Sequence, residues 1–347
     1  MKGSVLFTIN IGGLKLNNIK LAHGDGGRLT NKLINDLFYK YFSNDMLLQG
    51  LDSALVQCSS GKIAFTTDSF VLKPIFISGA DIGKLSIFGT VNDLAVTGST
   101  PLYLSSAFII EEGFDMSVLE TIVKSMANAC SFSNVKIVTG DTKVVEKGSI
   151  DGIFINTSGI GIVNDGFFIK PPEPGDKIII SGSIAEHGAT VAISRYNIKV
   201  QGEFKSDCYP LNLIVNKLYK YRKSIKIMKD PTRGGLATIL NEISSKWRFN
   251  VKIMEAKIPL RNEVSYISEL LGLDPLYLAC EGRLLMVVEN EICNEVINEL
   301  RKIEECHDAS IIGELINDRD GIVYLETELG GKRILNMLQG EMLPRIC

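Results

Sequence analysis

Nothing in this 347-residue sequence runs for about 18 consecutive apolar residues, so no segment reads as a membrane-spanning helix. Residues 1–11 alternate like a strand and lack the apolar core of a secretory signal. The seven cysteines, at 58, 130, 208, 280, 293, 306 and 347, are odd in number and dispersed, with no Cys-x-x-Cys pair. That excludes a zinc or iron–sulfur framework and fits a reducing, cytoplasmic setting. His187 and His307 are too isolated to be read as metal ligands. Charge of one sign is scarce as well. Lys and Arg number 37 against 40 Asp and Glu, a net charge of -3, which offers no basic surface to a nucleic acid but leaves small anionic ligands open.

The standard nucleotide loops are also missing. Gly79-Ala80-Asp81-Ile82-Gly83-Lys84 is one residue short between its glycines for a Walker loop, and Leu85 stands where Ser or Thr is needed. No stretch matches the dinucleotide fingerprint.

What is present is an ordinary globular composition, 45% hydrophobic and 22% charged, in a chain long enough for about two domains. His23-Gly24-Asp25-Gly26-Gly27-Arg28 is a glycine-rich turn opening a helix, a place where unpaired N–H groups can hold an anion. Residues 63–67 read as a buried strand with Asp68 at its end. Residues 83–98 read as a mostly buried helix carrying Asn92-Asp93, closed by Gly98 and Pro101. A strand over 102–110, a helix over 116–130 and a strand over 135–139 follow, with Gly140-Asp141-Thr142-Lys143 at the end of the last. A further strand over 153–163 completes an α+β or α/β unit. Lys170-Pro171-Pro172-Glu173-Pro174-Gly175-Asp176 reads as a linker. Beyond it, Asp230-Pro231-Thr232-Arg233-Gly234-Gly235 precedes a helix, and Glu281-Gly282 precedes a strand.

Asp68, Asp93 and Asp141 share a setting at the edge of apolar elements. Each alone suits a cap or turn. Together they suit magnesium, which takes a few carboxylates and a nucleotide's phosphates, and Lys143 would neutralise phosphate oxygens. The Thr232-Arg233-Gly234 turn is either a second anion site or a helix cap beside a surface ion pair. Glu281 is either a turn residue or, if burial raises its pKa, a general base. The chain ends on Cys347, whose thiol can carry chemistry from a terminal segment.

Phe65-Thr66-Thr67-Asp68-Ser69, the segment from Gly83 to Asp93, Val138-Thr139-Gly140-Asp141-Thr142-Lys143, Asp230 to Gly235, and the ending Pro344-Arg345-Ile346-Cys347 together resemble the HypE family of hydrogenase maturation factors. That family lies within the superfamily of aminoimidazole ribonucleotide synthetase and selenophosphate synthetase. The aspartate motifs belong to the superfamily; the PRIC ending is particular to HypE. The resemblance implies a two-domain, PurM-like α+β fold. Residues 1–20 would be an extension, 21–169 an ATP-binding domain that pairs across a homodimer into a β-barrel, 170–335 a C-terminal α/β domain, and 336–347 a flexible tail. It implies ATP and Mg2+ as cofactors. Gly24, Gly26, Gly27, Asp68, Asp93, Asp141, Lys143, Thr232, Arg233 and Gly234 would bind the nucleotide, with the metal on Asp68, Asp93 and Asp141.

The implied reaction is ATP-dependent dehydration of an S-carbamoyl group on Cys347 to a thiocyanate, with Glu281 and Lys143 as proton-handling residues. The carbamoyl group would come from the carbamoyltransferase HypF. The cyanide would pass to iron on a HypC–HypD scaffold, for a nickel–iron hydrogenase. Glycines around Gly330-Gly331 and Gly340 would act as hinges. Two other readings compete: a superfamily synthetase or kinase with a diffusible substrate, and a non-catalytic assembly protein whose C-terminal peptide docks. Selenophosphate synthetase is disfavoured, since the stretch from His23 to Arg28 holds no cysteine.

Overall fold

The computed structural model describes residues 26–42, 44–45, 47–58, 61–168, 170–200, 202–318 and 320–338. The expected strand at 1–11, Gly24, Gly340 and Cys347 lie outside these residues. Short helices α1 (Arg28–Leu33) and α2 (Tyr39–Phe42) lead into strands β1 (Ala54–Cys58) and β2 (Gly61–Phe70), then a small β3–β4 pair (Phe76–Ile77, Ala80–Asp81). After these come α3 (Ile82–Val96), β5 (Ser99–Glu111), α4 (Met116–Ser133), β6 (Lys136–Val145) and β7 (Ile153–Val163). The five long strands form one sheet in the order β1-β2-β7-β5-β6, in which only β5 and β6 run parallel.

Two strands run further than the sequence pattern suggests. β2 continues through Asp68 to Phe70, and β6 continues through Asp141 and Lys143 to Val145. Gly140 makes the second extension possible. A Cβ there would lie 2.4 Å from the Ser106 peptide oxygen on β5, so only a bare backbone can pair at that spacing.

α3 is apolar on nearly every side, and 13 of its 15 residues are buried, which marks a helix enclosed by protein. It packs on β2, β5 and β7, against α4, and against the helix Leu211–Leu218 of the second domain. Its start is fixed by Asp81, whose Oδ1 accepts from the N–H groups of Gly83 at 2.8 Å and Lys84 at 3.0 Å. The Asp81 Oδ2 accepts from Ser125 Oγ on α4 at 2.6 Å.

The second sheet is built from β8 (Lys177–Ile180), β9 (Ile225–Lys229), β10 (Asn250–Met254), β11 (Leu285–Val288), β12 (Ser310–Ile316), β13 (Val323–Glu326) and β14 (Lys332–Ile334). Its order is β14-β13-β10-β12-β8-β11-β9, with β10 and β13 as its parallel pair. Helices α5 (Glu186–Tyr196), α6 (Leu211–Leu218), α7 (Gly235–Trp247), α8 (Asn262–Leu271) and α9 (Cys293–Leu300) cover it. The described residues form an α+β protein of two large sheets beside the small β3–β4 pair. The expected linker is held against β9: the buried Lys226 ammonium pairs with Asp176 at 2.9 Å and Glu173 at 3.2 Å. One apolar cluster runs from Phe70, Leu85 and Val91 into Ile178, Leu236 and Leu285, so the two domains share a core. Among the described residues no helix is long and apolar enough to cross a membrane.

Asp81→Ala removes a helix cap and the bond from Ser125 together. It should lower the unfolding free energy by about 1–2 kcal/mol in a denaturant titration; an unchanged midpoint would contradict this account of how α3 is anchored.

Candidate active site

The seam between the domains gathers carboxylates. Asp68 comes from β2, Asp93 from the last turns of α3, Asp230 from the residue after β9, and Glu281 from the loop before β11. Asn92, fully buried, sets the seam. Its Oδ1 accepts from Leu211 N at 2.7 Å, and its Nδ2 donates to the peptide oxygens of Glu281 at 3.1 Å and Tyr209 at 3.2 Å. The side chain next along the helix, Asp93, accepts from Thr66 Oγ1 at 2.8 Å.

These carboxylates raise one another's pKa. Burial pushes Asp93 well above the usual range, the charges of Asp230, Asp68 and Asp52 push it further, and the Thr66 hydrogen bond opposes them. Asp230 is raised to about 7, by burial first and then by Asp52, against the pull of Lys229. Glu281, 4% exposed, is raised well above its ordinary value by burial and by Asp230, Asp207 and Asp68. Asp68 is raised by burial and held back by Arg233, whose guanidinium is 4.0 Å from its Oδ1, and by the Ser69 N–H. A buried group of like charges in this state gains from a cation.

The glycine turn and the Arg233 turn meet here. A Cβ on Gly26 would lie 2.8 Å from the Arg233 peptide oxygen, and one on Gly27 would lie 2.6 Å from that of Leu338. Only glycine lets the N-terminal segment lie this close to both. Thr232 and Gly234 form the turn into α7, a 13-residue helix that starts without a side-chain cap. Its first N–H groups suit an anion.

The first residues of the expected flexible tail, 336–338, are held in place. Leu335 N donates to Val323 O at 2.8 Å and Asn241 Nδ2 to Leu335 O at 3.0 Å. Tyr277 OH donates to Asn336 O at 2.7 Å, Asn31 Nδ2 approaches Met337 Sδ at 3.1 Å, and Arg28 N donates to Leu338 O at 3.0 Å. Residues 335–338 are thus tied to α7, α1 and the glycine turn. Gly330 and Gly331 close the β13–β14 hairpin upstream of this anchor, where Thr327 N donates to Gly331 O at 2.8 Å. A hinge for the tail at that pair is ruled out, because the anchored residues follow it.

Asp141 and Lys143 do not join the cluster. Across the sheet Asp68 pairs with Thr157, Thr157 with Ser106 and Ser106 with Gly140, so these four side-chain positions share the face covered by α3. Asp141 and Lys143 are offset from Gly140 by one and three residues and project from the opposite, exposed face. The expected metal trio of Asp68, Asp93 and Asp141 is therefore not assembled within one chain. Among the described residues no group of three or more His, Cys, Asp or Glu converges closely enough to enclose a metal ion. Asp230 is the carboxylate that sequence reasoning passed over. It opens the same motif that drew attention to Thr232 and Arg233, and its position after an apolar strand was the available signal. Cys280, beside Glu281, is fully buried and accepts from Ala185 N at 3.1 Å; burial pushes its thiol well above the ordinary range, so it packs.

Two family descriptions match the chain: the N-terminal domain of AIR synthase related protein over residues 50–163, and its C-terminal domain over 173–326. The carbamoyl dehydratase HypE of Rhizobium leguminosarum bv. viciae is 44% identical over 332 residues, covering 95% of this chain and 95% of that protein. The chain belongs to the HypE family. Among solved structures, HypE in a HypE–HypF complex superposes with a TM-score of 0.83 at 44% identity, covering 88% of this chain and 99% of the other. HypE in complex with ATP gives a TM-score of 0.78 at 43% identity, covering 94% and 99%.

Because the Asp230 carboxyl is raised, folding binds a proton there. The stability it withholds is absent below the unfolded pKa near ~3.9 and grows as pH rises through about 7. Asp230→Asn should raise the melting temperature by roughly 3–8 °C at pH 8 and by much less at pH 4. An equal shift at both pH values in differential scanning calorimetry would refute this origin.

Proposed function

We propose that this HypE family member is an ATP-dependent carbamoyl dehydratase acting on an S-carbamoyl group carried by its own Cys347. The observation that carries the reading is the anchor of residues 335–338 beside Gly27, next to the Arg233–Asp68 pair. Cys347 is nine residues beyond Leu338, a span of at most about 30 Å when extended, so the thiol's cargo is within reach of the carboxylate seam.

The glycine turn, the N-terminus of α7 and Arg233 would hold the ATP phosphates. Asp68, Asp93 and Asp230 fit magnesium, which needs one or two carboxylates and otherwise keeps water and phosphate oxygens. When bound, the metal neutralises charge on the phosphoryl group and helps orient it. The chain's own residues do the rest. Arg233 and the α7 N–H groups orient the γ-phosphate toward the carbamoyl oxygen, which attacks phosphorus and releases ADP. The amide oxygen, a poor leaving group by itself, then departs as hydrogen phosphate carrying one of the two N–H protons, while the other N–H proton is removed and the carbon–nitrogen triple bond closes. Glu281 takes that proton. Its burial among other carboxylates gives it the high proton affinity that a weakly acidic N–H demands. The sum is thiocarboxamide plus ATP to thiocyanate, ADP and phosphate, with one proton released.

Phe65, Tyr103, Ile109, Ile160 and Ile162 form an exposed apolar face on the N-terminal sheet. Exposed faces of this kind mark association surfaces. A second copy covers it, closing the two sheets into the expected barrel. Asp141 and Lys143 lie on that same face, so they reach nucleotide phosphates only through the pairing, with Lys143 neutralising phosphoryl oxygens. HypF supplies the carbamoyl group, and a HypC–HypD scaffold accepts the cyanide for hydrogenase iron. The protein works in the cytoplasm.

The test is mass spectrometry of the C-terminal peptide after incubation with HypF, carbamoyl phosphate and ATP. Cys347 should gain one carbamoyl group and, with ATP, lose one water; an unmodified Cys347 overturns the proposal. In the same assay Glu281→Gln should slow water loss by at least about 100-fold while leaving carbamoylation and ATP affinity near wild type. Near-normal dehydration in that variant removes Glu281 from the role.

A further inference from the structure

Lys229, the last residue of β9, precedes Asp230 and takes no part in the chemistry above. Its side chain is only 17% exposed, and its ammonium meets carboxylates from both domains. Asp52 Oδ1 of the N-terminal domain lies at 2.8 Å, and Glu242 Oε2 of α7 at 3.4 Å. Asp52 is in turn joined to the residue across the seam from Asp230. Thr66 Oγ1 is 3.1 Å from the Asp52 peptide oxygen and 2.8 Å from Asp93 Oδ2, so one hydroxyl serves both. The next residue, Ser53, is 1% exposed and donates its hydroxyl to the Asp93 peptide oxygen at 2.8 Å. A continuous path of polar contacts therefore runs from Glu242 through Lys229 and Asp52 to both ends of Asp93.

We propose that Lys229 is a positioning residue: by holding Asp52 against β9, it keeps Asp93 of one domain and Asp230 of the other in the relation a shared divalent cation needs. The proposal rests on reading Asp68, Asp93 and Asp230 as the cation–phosphate site. Without the ammonium, Asp52 adds an uncompensated negative charge to a seam already crowded with carboxylates. The N-terminal side then has reason to move away from β9, taking Asp93 with it. An ammonium is not essential to such a bridge. An arginine at the same position presents a planar fork that can meet Asp52 and Glu242 together.

The test uses the full chain, a non-hydrolysable ATP analogue, and Mn2+ titrated by the loss of its free-ion electron paramagnetic resonance signal. Lys229→Met should weaken Mn2+ binding roughly five- to twentyfold. Affinity for the analogue in the absence of metal should stay within about twofold of wild type, which a general loss of structure would not allow. Lys229→Arg should restore Mn2+ binding. The double variant Lys229→Met with Asp52→Asn should be no weaker than Lys229→Met alone, since the contact is already gone. Asp93→Asn, run alongside, separates the two readings. If it weakens Mn2+ binding and Lys229→Met does not, Lys229 has no positioning role and the carboxylate site stands. If Asp93→Asn leaves Mn2+ binding unchanged, both readings fall. Should Lys229→Met not fold, Asp52→Asn breaks the same contact while Lys229 keeps Glu242, and wild-type Mn2+ affinity in that variant overturns the proposal.

Discussion

Asn92 holds the two halves of the molecule in register. Its amide is fully buried and spends its hydrogen bonds on three backbone groups of the second domain, from Tyr209, Leu211 and Glu281. A buried amide left without those partners costs about 1–3 kcal/mol, so the bonds and the seam stand or fall together. Two consequences follow from one residue. α3 is sealed between a sheet and a foreign helix, and Asp93, next in the chain, is delivered to the carboxylates that β9 and the Glu281 loop bring from the other side.

The seam is stable because apolar packing offsets an electrostatic arrangement that is unfavourable by itself. Several carboxylates sit with Arg233 and Lys229 as the cations that act on them. The shared core from Phe70 to Leu285 holds them in place. A site under that tension at rest and relieved by a cation and a phosphate is suited to phosphoryl chemistry, where charge neutralisation supplies most of the acceleration. The N-terminal glycine turn and residues 335–338 converge beside it through close backbone contacts and through the side chains of Asn31, Asn241 and Tyr277.

Pleating divides the functional residues as firmly as packing unites them. Asp68 lies inward on β2, whereas Asp141 and Lys143 lie outward on β6, across a face lined by Phe65, Tyr103 and Ile160. No rotamer carries a side chain through its own sheet. The two sets act on one nucleotide only if a second chain brings its outward face to the first.

The sequence by itself determined most of the elements and several of the site residues. The largely apolar run over 83–98 read as a mostly buried helix and 153–163 as a strand, and Asp68, Asp93, Arg233 and Glu281 stood in motifs whose local chemistry was legible. What it left undecided were relations between distant segments. β6 runs past Gly140 because a neighbouring strand approaches closely there; a propensity scale does not register that. Asp141 falls on the far face because of pairing register, and Asp230 enters the cluster because β9 is an edge strand of the second sheet beside α3. Hydrophobic periodicity is a local signal and specifies which residues are buried. Which carboxylates become neighbours, and which of their charges are raised by that company, depends on long-range packing, and only the tertiary structure decided it.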